Sequence, residues 1–278
     1  MRNKLILSLL CAAVLTGCGE YNKVLKSSDT NYKYEYAKKA FEERKYVQAA
    51  TLLEDVVKVL KGTDKAEESL YLLGLSHYEN KDYASASTYF QTYYTHYPKG
   101  KYTELARFYA GYGYYLDSPE PQLDQTDTYK AIDELQRFLD YFPNSDKKSI
   151  AQSAIFELQD KLVQKEIDNA QLYYNLGYYL GLYNTWSSYA VGNNYESAVI
   201  VATNALKNYP YTKHKEQLQM IVLKAKFQQA YQSVIEKKAD RYREVIDEYY
   251  SFINDYPESK YRSEADNIFK IANNYLNK

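Results

Sequence analysis

One proline, recurring at a fixed distance from a repeated start, most limits what this chain can fold into. Tyr46, Tyr83, Tyr195 and Tyr242 each follow a short polar turn. Three residues on stand Ala49, Ala86, Ala198 and Val245, and seven on stand Leu53, Phe90, Ala202 and Tyr249. Fifteen on stand Lys61, Pro98, Pro210 and Pro257. A fifth copy starts at Thr128, with Ala131, Leu135 and Pro143 at the same offsets. Offsets of 3 and 7 mark one face of a helix. The proline ends that helix, because its ring clashes with the preceding turn and it has no N–H to donate.

The stops share a frame of aromatic, Pro, any residue, then Gly, Ser or Thr, as in Tyr97-Pro98-Lys99-Gly100 and Phe142-Pro143-Asn144-Ser145. Tyr209-Pro210-Tyr211-Thr212 and Tyr256-Pro257-Glu258-Ser259 repeat it. The Ser or Thr is expected to cap the next helix. Glu104, Asp146, Glu216 and Glu264 then bring acid to the first turns, where the helix dipole favours it. A partner helix precedes each start. In the second copy Gly74, Ala86, Phe90 and Pro98 follow the order of the tetratricopeptide (TPR) consensus, with small residues where two helices cross. The starts are spaced by 37, 45, 67 and 47 residues, against about 34 for a plain TPR unit. The excess falls in a loop at 117–127, a long helical stretch at 147–180, a loop at 181–194 holding Trp186, and a lengthened hairpin at 212–240. A last helix at about 261–276 closes the series. The expected fold is all-α, a TPR-like superhelical stack of about five helix hairpins plus a C-terminal capping helix.

The N-terminus reads as an export signal. Arg2 and Lys4 precede an apolar run from Leu5 to Leu15, too short to span a bilayer core of about 30 Å. Leu15-Thr16-Gly17-Cys18 resembles a bacterial lipobox. Cys18 would take a diacylglycerol and, on its freed amine, an acyl chain such as palmitate, and several chains hold a protein firmly. No other cofactor is implied. The second cysteine, Cys11, lies in the discarded segment, so the mature chain would have no disulfide. Gly19 in place of Asp, with no acidic run after it, points to the periplasmic face of the outer membrane. The expected division is a cleaved signal peptide at 1–17, a lipidated tether at 18–30, repeats one to three at 31–146, and repeats four and five with the long connecting helix and cap at 147–278.

Chemistry is hard to find. The net charge of −1 offers no footprint for nucleic acid. His77, His96 and His214 have no second His or Cys at ligand spacing. No phosphate loop or nucleophile elbow is present. Asp124 and Asp127 form a weak acidic pair, with Asp127 better read as a helix cap. Nothing favours a pair of glycosidase carboxylates, and the chain reads as a non-enzyme. The 35 tyrosines suit half-buried helix faces and binding surfaces alike. By helix position Tyr36, Arg44, Tyr71, His77, Tyr78 and Tyr109 could line a substrate groove or simply pack between repeats. Lys237, Lys238, Arg241 and Arg243 could meet an acidic partner or stay solvated.

Leu116-Asp117-Ser118-Pro119, then Leu123 and Asp124-Gln125-Thr126, then Ala131 resemble the third-repeat signature of the BamD family, lipoproteins of the outer-membrane β-barrel assembly (BAM) complex. Lys165-Glu166, Ala170 and Tyr173-Tyr174 resemble that family's long fourth-repeat helix. The resemblance covers about 25–278 and departs in the expanded 181–194 loop. It implies docking to the POTRA domains of a BamA-like protein through the C-terminal repeats. It also implies that the N-terminal repeats receive unfolded outer-membrane β-barrel proteins through an aromatic-ended C-terminal signal. Two alternatives use the same architecture: a TPR lipoprotein coordinating peptidoglycan or another envelope process, and a glycan-binding outer-membrane lipoprotein.

Overall fold

The structure, a computed structural model, describes residues 19–180 and 191–277. The expected signal peptide at 1–17, Cys18 and Trp186 lie outside the described residues. The chain forms two compact units, 1–119 with 125–155 and 120–124 with 156–278. That division falls inside a helix rather than at 146/147.

The first unit holds α1 (Thr30–Glu42), α2 (Tyr46–Val59), α3 (Ala66–Glu79), α4 (Tyr83–His96), α5 (Thr103–Asp117) and α6 (Thr126–Tyr141), each packed on the next. It also holds the start of α7 (Lys148–Leu176). The repeated face becomes the core. Ala49, Ala86 and Ala131 are fully buried, as are Leu53, Phe90 and Leu135. The small residues are small for a measurable reason. A Cβ on Gly74 would stand 2.8 Å from the Phe90 ring, and one on Gly111 would stand 2.9 Å from the backbone nitrogen of Leu135. Each buried Leu or Phe contributes about 1.5–3 kcal/mol. Residues 19–25, expected to be a tether, are helical, and Val24 is fully buried against Ala37 and Leu53. An apolar residue flanked by Tyr21 and Leu25 joins the first core instead of trailing in solvent.

The second unit holds the rest of α7, then β1 (Tyr178–Leu180), β2 (Val191–Asn193), α8 (Asn194–Asn208), α9 (Lys215–Tyr231), α10 (Ile235–Asp255) and α11 (Arg262–Leu276). Residues 148–176 form one helix. The end of the expected helical stretch at 147–180 and the far edge of the expected loop at 181–194 differ: β1 and β2 pair antiparallel, with Tyr179 opposite Gly192. Val163, Ile167 and Ala170 of α7 pack with Ala202 and Ala205 of α8 and Leu218 of α9. Leu223, Tyr242, Val245, Phe252 and Ile268 form the core of the last three helices. Tyr242, read as a repeat start, lies two turns inside α10 and is 2% exposed. Nothing between Ile235 and Arg241 breaks a helix, so the helix begins earlier, at Val234 with its extended ψ of 153°.

The proline stop folds the same way each time. Tyr97, Phe142, Tyr209 and Tyr256 each donate an N–H to the carbonyl four residues back. The N–H groups of Gly100, Ser145, Thr212 and Ser259 then return to those aromatic residues' carbonyls at 3.0–3.2 Å, closing a turn over the proline. The Ser and Thr are not helix caps. Ser145 Oγ accepts from Lys147 N (3.1 Å), Thr212 Oγ1 from His214 N (3.2 Å) and Ser259 Oγ from Tyr261 N (2.9 Å). The hydroxyl is spent on the turn, two residues on, and the helix begins only after a further turn. Glu104, Glu216 and Glu264 lie in first turns as expected, whereas Asp146 precedes α7. Asp127 is likewise not a cap, since α6 begins at Thr126 and Asp127 pairs with Lys130 inside its first turn (2.9 Å).

Candidate functional site

In the first unit α2, α3 and α4 enclose a cleft of about 360 Å³. Its floor is apolar, formed by Val57, Leu70, Leu73, Tyr89 and Tyr97. Lys58, Lys61 and His96 put cationic or titratable nitrogen on its rim, and Glu54 is its one carboxylate. Glu54, Val57 and Lys58 fall at offsets 0, 3 and 4 on one face of α2, and Lys61, in the turn just past its end, completes that side. Such a cleft suits an extended peptide with an apolar side chain and a negative charge.

His77 is fixed beside this cleft. Its Nδ1 lies 2.9 Å from Asp82 Oδ2 and its Nε2 3.7 Å from Glu54 Oε1. Its ring stacks on Tyr89 at 5.0 Å, and the Tyr89 hydroxyl donates to Glu54 Oε1 at 3.4 Å. Burial, then the Glu54 carboxylate, pushes the Tyr89 phenol up from its ordinary value. Asp82 also caps α4 by accepting from Ser85 N at 3.3 Å.

The other expected groove residues have different surroundings. Tyr36 is 9% exposed in the first core. Arg44 is exposed in the α1–α2 turn with φ 61°. Tyr71 lies flat on Tyr102, centroids 4.2 Å apart and planes 4° apart, and edge-on to Tyr93. Tyr78 and Tyr109 are 4.9 Å apart, and Tyr109 stacks on Phe90 at 5.5 Å. The structure thus brings Tyr71, Tyr78 and Tyr109 into one aromatic run between repeats, while His77 faces the cleft's Glu54 and Tyr89. Burial raises the phenols of Tyr71 and Tyr78 far above their ordinary value.

Several tyrosine hydroxyls bond carboxylates of other helices. Tyr34 donates to Glu68 (2.5 Å), Tyr93 to Glu67 (2.5 Å), Tyr94 to Glu134 (2.9 Å) and Tyr249 to Asp266 (2.7 Å). Sequence reading missed these pairs, because their partners stand 17 to 40 residues apart. It also missed the cleft, although the one-sided spacing on α2 was visible.

In the signature loop Gln125 is 4% exposed and its Oε1 accepts from Thr128 Oγ1 (2.8 Å), which also meets Ser118 Oγ (2.5 Å). Thr126 opens α6 and Asp124 is exposed. In the second unit Gln122 donates to Asp168 (2.9 Å) and Lys165 to the Leu123 carbonyl (2.7 Å). Of the C-terminal cations, Lys237 is exposed and Lys238 lies 5.5 Å from the Tyr231 ring and 5.7 Å from that of Tyr275. Arg241 donates to Ser233 Oγ, and Arg243 pairs with Asp240 at 2.5 Å. Beside them Val234 and Ile235 are 62% and 81% exposed.

Among the described residues no helix is long and apolar enough to cross a membrane, and no group of three His, Cys, Asp or Glu side chains could hold a metal. A family profile described as "YfiO: Outer membrane lipoprotein" matches residues 26–188, more than half of the chain. That span includes the cleft and the signature loop, and it ends before α8. No curated protein matches. Similar solved structures include the TPR2AB domain–pHSP90 complex of yeast Sti1, 14% identical, with 88% of this chain and 98% of that one covered at a TM-score of 0.39. The nearly identical TPR-like repeats of a kinesin light chain from Podosopora anserina are 12% identical, covering 82% and 96% at 0.32. Acl4, the assembly chaperone of RpL4, is 13% identical, covering 90% and 97% at 0.26.

Proposed function

We propose that this chain, which belongs to the YfiO family of outer membrane lipoproteins, is the BamD-type scaffold of an outer-membrane β-barrel assembly machine. It works without catalysis, by holding partners together. The family match carries this reading, because it contains the Asp124-Gln125-Thr126 loop on which the resemblance to BamD turns. Diacylglycerol and an acyl chain on Cys18 anchor the protein to the periplasmic face of the outer membrane. The C-terminal repeats meet the POTRA domains of a BamA-like protein, with Lys237, Lys238, Arg241 and Arg243 as contacts. The N-terminal unit receives unfolded barrel proteins.

The cleft supports the last role. An aromatic-ended C-terminal segment would set its ring on Val57, Leu70 and Leu73 and its carboxylate near Lys58, Lys61 and His96. Two tests separate the parts. A gentle detergent pull-down of the full lipoprotein should recover a BamA-like protein in near-equal amount. Recovery of peptidoglycan enzymes or glycan transporters instead would remove the assembly role. Lys58→Glu with Lys61→Glu should weaken binding of a barrel-derived C-terminal peptide at least about tenfold, and the amidated peptide should bind both forms equally weakly. Undiminished binding would place the substrate elsewhere.

A further inference from the structure

We propose that Arg107 anchors a second docking surface of the first unit, one that takes an aspartate or glutamate side chain of a partner protein. Arg107 lies on α5. Its guanidinium carbon is 4.2 Å from the ring centroid of Tyr94 on α4 and 4.0 Å from that of Tyr141 at the end of α6. Two rings at that distance hold the guanidinium between them and fix its plane. A guanidinium carries five N–H donors and no acceptor, and its donors point outward in that plane. Among the described residues none of them meets a hydrogen-bond acceptor or an ion-pair partner.

A buried carboxylate on α6 is bonded elsewhere. Glu134, 8% exposed on α6, accepts from Gln91 Nε2 at 3.1 Å and from the Tyr94 hydroxyl at 2.9 Å. Those two bonds point the Glu134 oxygens at Gln91 and Tyr94, and no hydrogen bond or ion pair joins them to Arg107. What remains is a charged, planar, pre-oriented fork with its rotamer freedom already lost. That state favours a bidentate carboxylate over a point contact, because the ordering cost does not have to be met on binding.

The surroundings decide the kind of partner. Tyr141 is 64% exposed and forms an aromatic wall beside the fork. Next to it Arg137 is already paired with Asp133 at 3.0 Å, and Asp140 is exposed. One open cation among acids repels an anionic lipid surface, which needs a cluster of unpaired Lys or Arg. It accepts one carboxylate presented at one place. Arg and Tyr are also among the residues that dominate protein–protein affinity. This surface is distinct from the cleft of α2 to α4, and the proposal does not depend on what occupies that cleft.

The test uses the full lipoprotein in its own envelope, with a photoreactive benzoyl-phenylalanine at position 137. Light should give a protein adduct whose mapped site carries an Asp or Glu. Arg107→Lys keeps a cation between the rings but loses the fork, and should cut the adduct at least about tenfold. Arg107→Glu should abolish it, and changing the partner's mapped acid to Arg should restore it in that background. Melting temperatures within about 2 °C of the parent show that the fold is kept. An adduct undiminished by both substitutions, a mapped site without an acid, failure of the charge swap, a phospholipid adduct alone, or no protein adduct would each overturn the proposal.

Discussion

Tyr93→Phe should destabilise the protein by about 2–3 kcal/mol although it deletes one oxygen. Tyr93 is fully buried on α4. Its hydroxyl donates to Glu67 Oε1 at 2.5 Å and accepts from the Tyr102 amide at 3.0 Å. The same carboxylate oxygen accepts from the Lys101 amide at 2.5 Å. One phenol thus joins the first turn of α3 to the amides that open α5. Losing a hydrogen bond to a charged group costs about 1.5–3 kcal/mol, and an orphaned buried amide about 1–3 kcal/mol. Lys101 is exposed and Tyr102 half-buried, so water recovers most of the second loss, which sets the sum at the low end of the combined range, about 2–3 kcal/mol. Glu67→Gln keeps an acceptor and removes only charge, and should cost about 1 kcal/mol. The double variant should lose at least about 1 kcal/mol less than the sum, because both changes break one network. Urea unfolding of the soluble chain from residue 19 measures all three, with Tyr211→Phe as the control, since Tyr211 is 93% exposed. If Tyr93→Phe matched that control to within about 0.5 kcal/mol, the hydroxyl would not be acting as the link described.

Other expected outcomes follow from single contacts. Lys81 closes the α3–α4 turn at φ 64° while the Asp82 amide reaches back to the His77 carbonyl at 2.9 Å. Relief of left-handed strain of about 1–2 kcal/mol, less about 0.4–1 kcal/mol of added chain entropy, should make Lys81→Gly a stabilising change in a thermal melt. Gly111→Ala should cost at least about 2 kcal/mol by urea unfolding, because its Cβ would meet the Leu135 backbone, which cannot turn aside. Hydrogen bonds from Lys38 and Tyr34 hold the Glu68 carboxyl below its usual range. Its contribution is therefore present above the unfolded carboxylate range and lost as pH falls through the lowered folded value. Lys38→Met should flatten the acid limb of a stability–pH curve. The Tyr34 phenol is pushed up to about 12, first by burial and then by Glu68. Its contribution should hold up to the ordinary phenol range and disappear as pH rises towards that value, which a Tyr34→Phe variant would show by losing the alkaline limb.

The stack was legible because its constraints are local. A proline ends a helix whatever surrounds it, and the offsets of 3 and 7 report a buried face directly, as the buried Ala49, Ala86, Ala131 and Ala198 show. Ambiguity entered where one residue type serves two geometries. Ser145 and Ser259 could cap a helix or close a turn, and the local pattern is the same for both. Tyr242 looked like a start because tyrosine begins three other copies, but a start needs a break, and Ile235 to Arg241 offer none. Of the cleft only the one-sided spacing of Glu54, Val57 and Lys58 was legible, and of the Tyr–carboxylate links nothing was. They join residues such as Glu67 and Tyr93, whose proximity exists only once neighbouring hairpins have packed.

The aromatic–proline turn also acts as a phase reference for the chain. Because it closes on itself, through the Gly100, Ser145, Thr212 and Ser259 amides, it fixes the angle at which each hairpin ends and leaves the opposite end free to vary. The seven residues from Ile235 to Arg241 that precede Tyr242 in α10 use that freedom. At about 100° per residue they return the helix to within about 20° of its starting azimuth, so Tyr242, Val245 and Tyr249 still face the core. Helix length in this architecture is thereby quantised. Additions of about seven residues preserve the buried face, and additions of about five turn it to solvent.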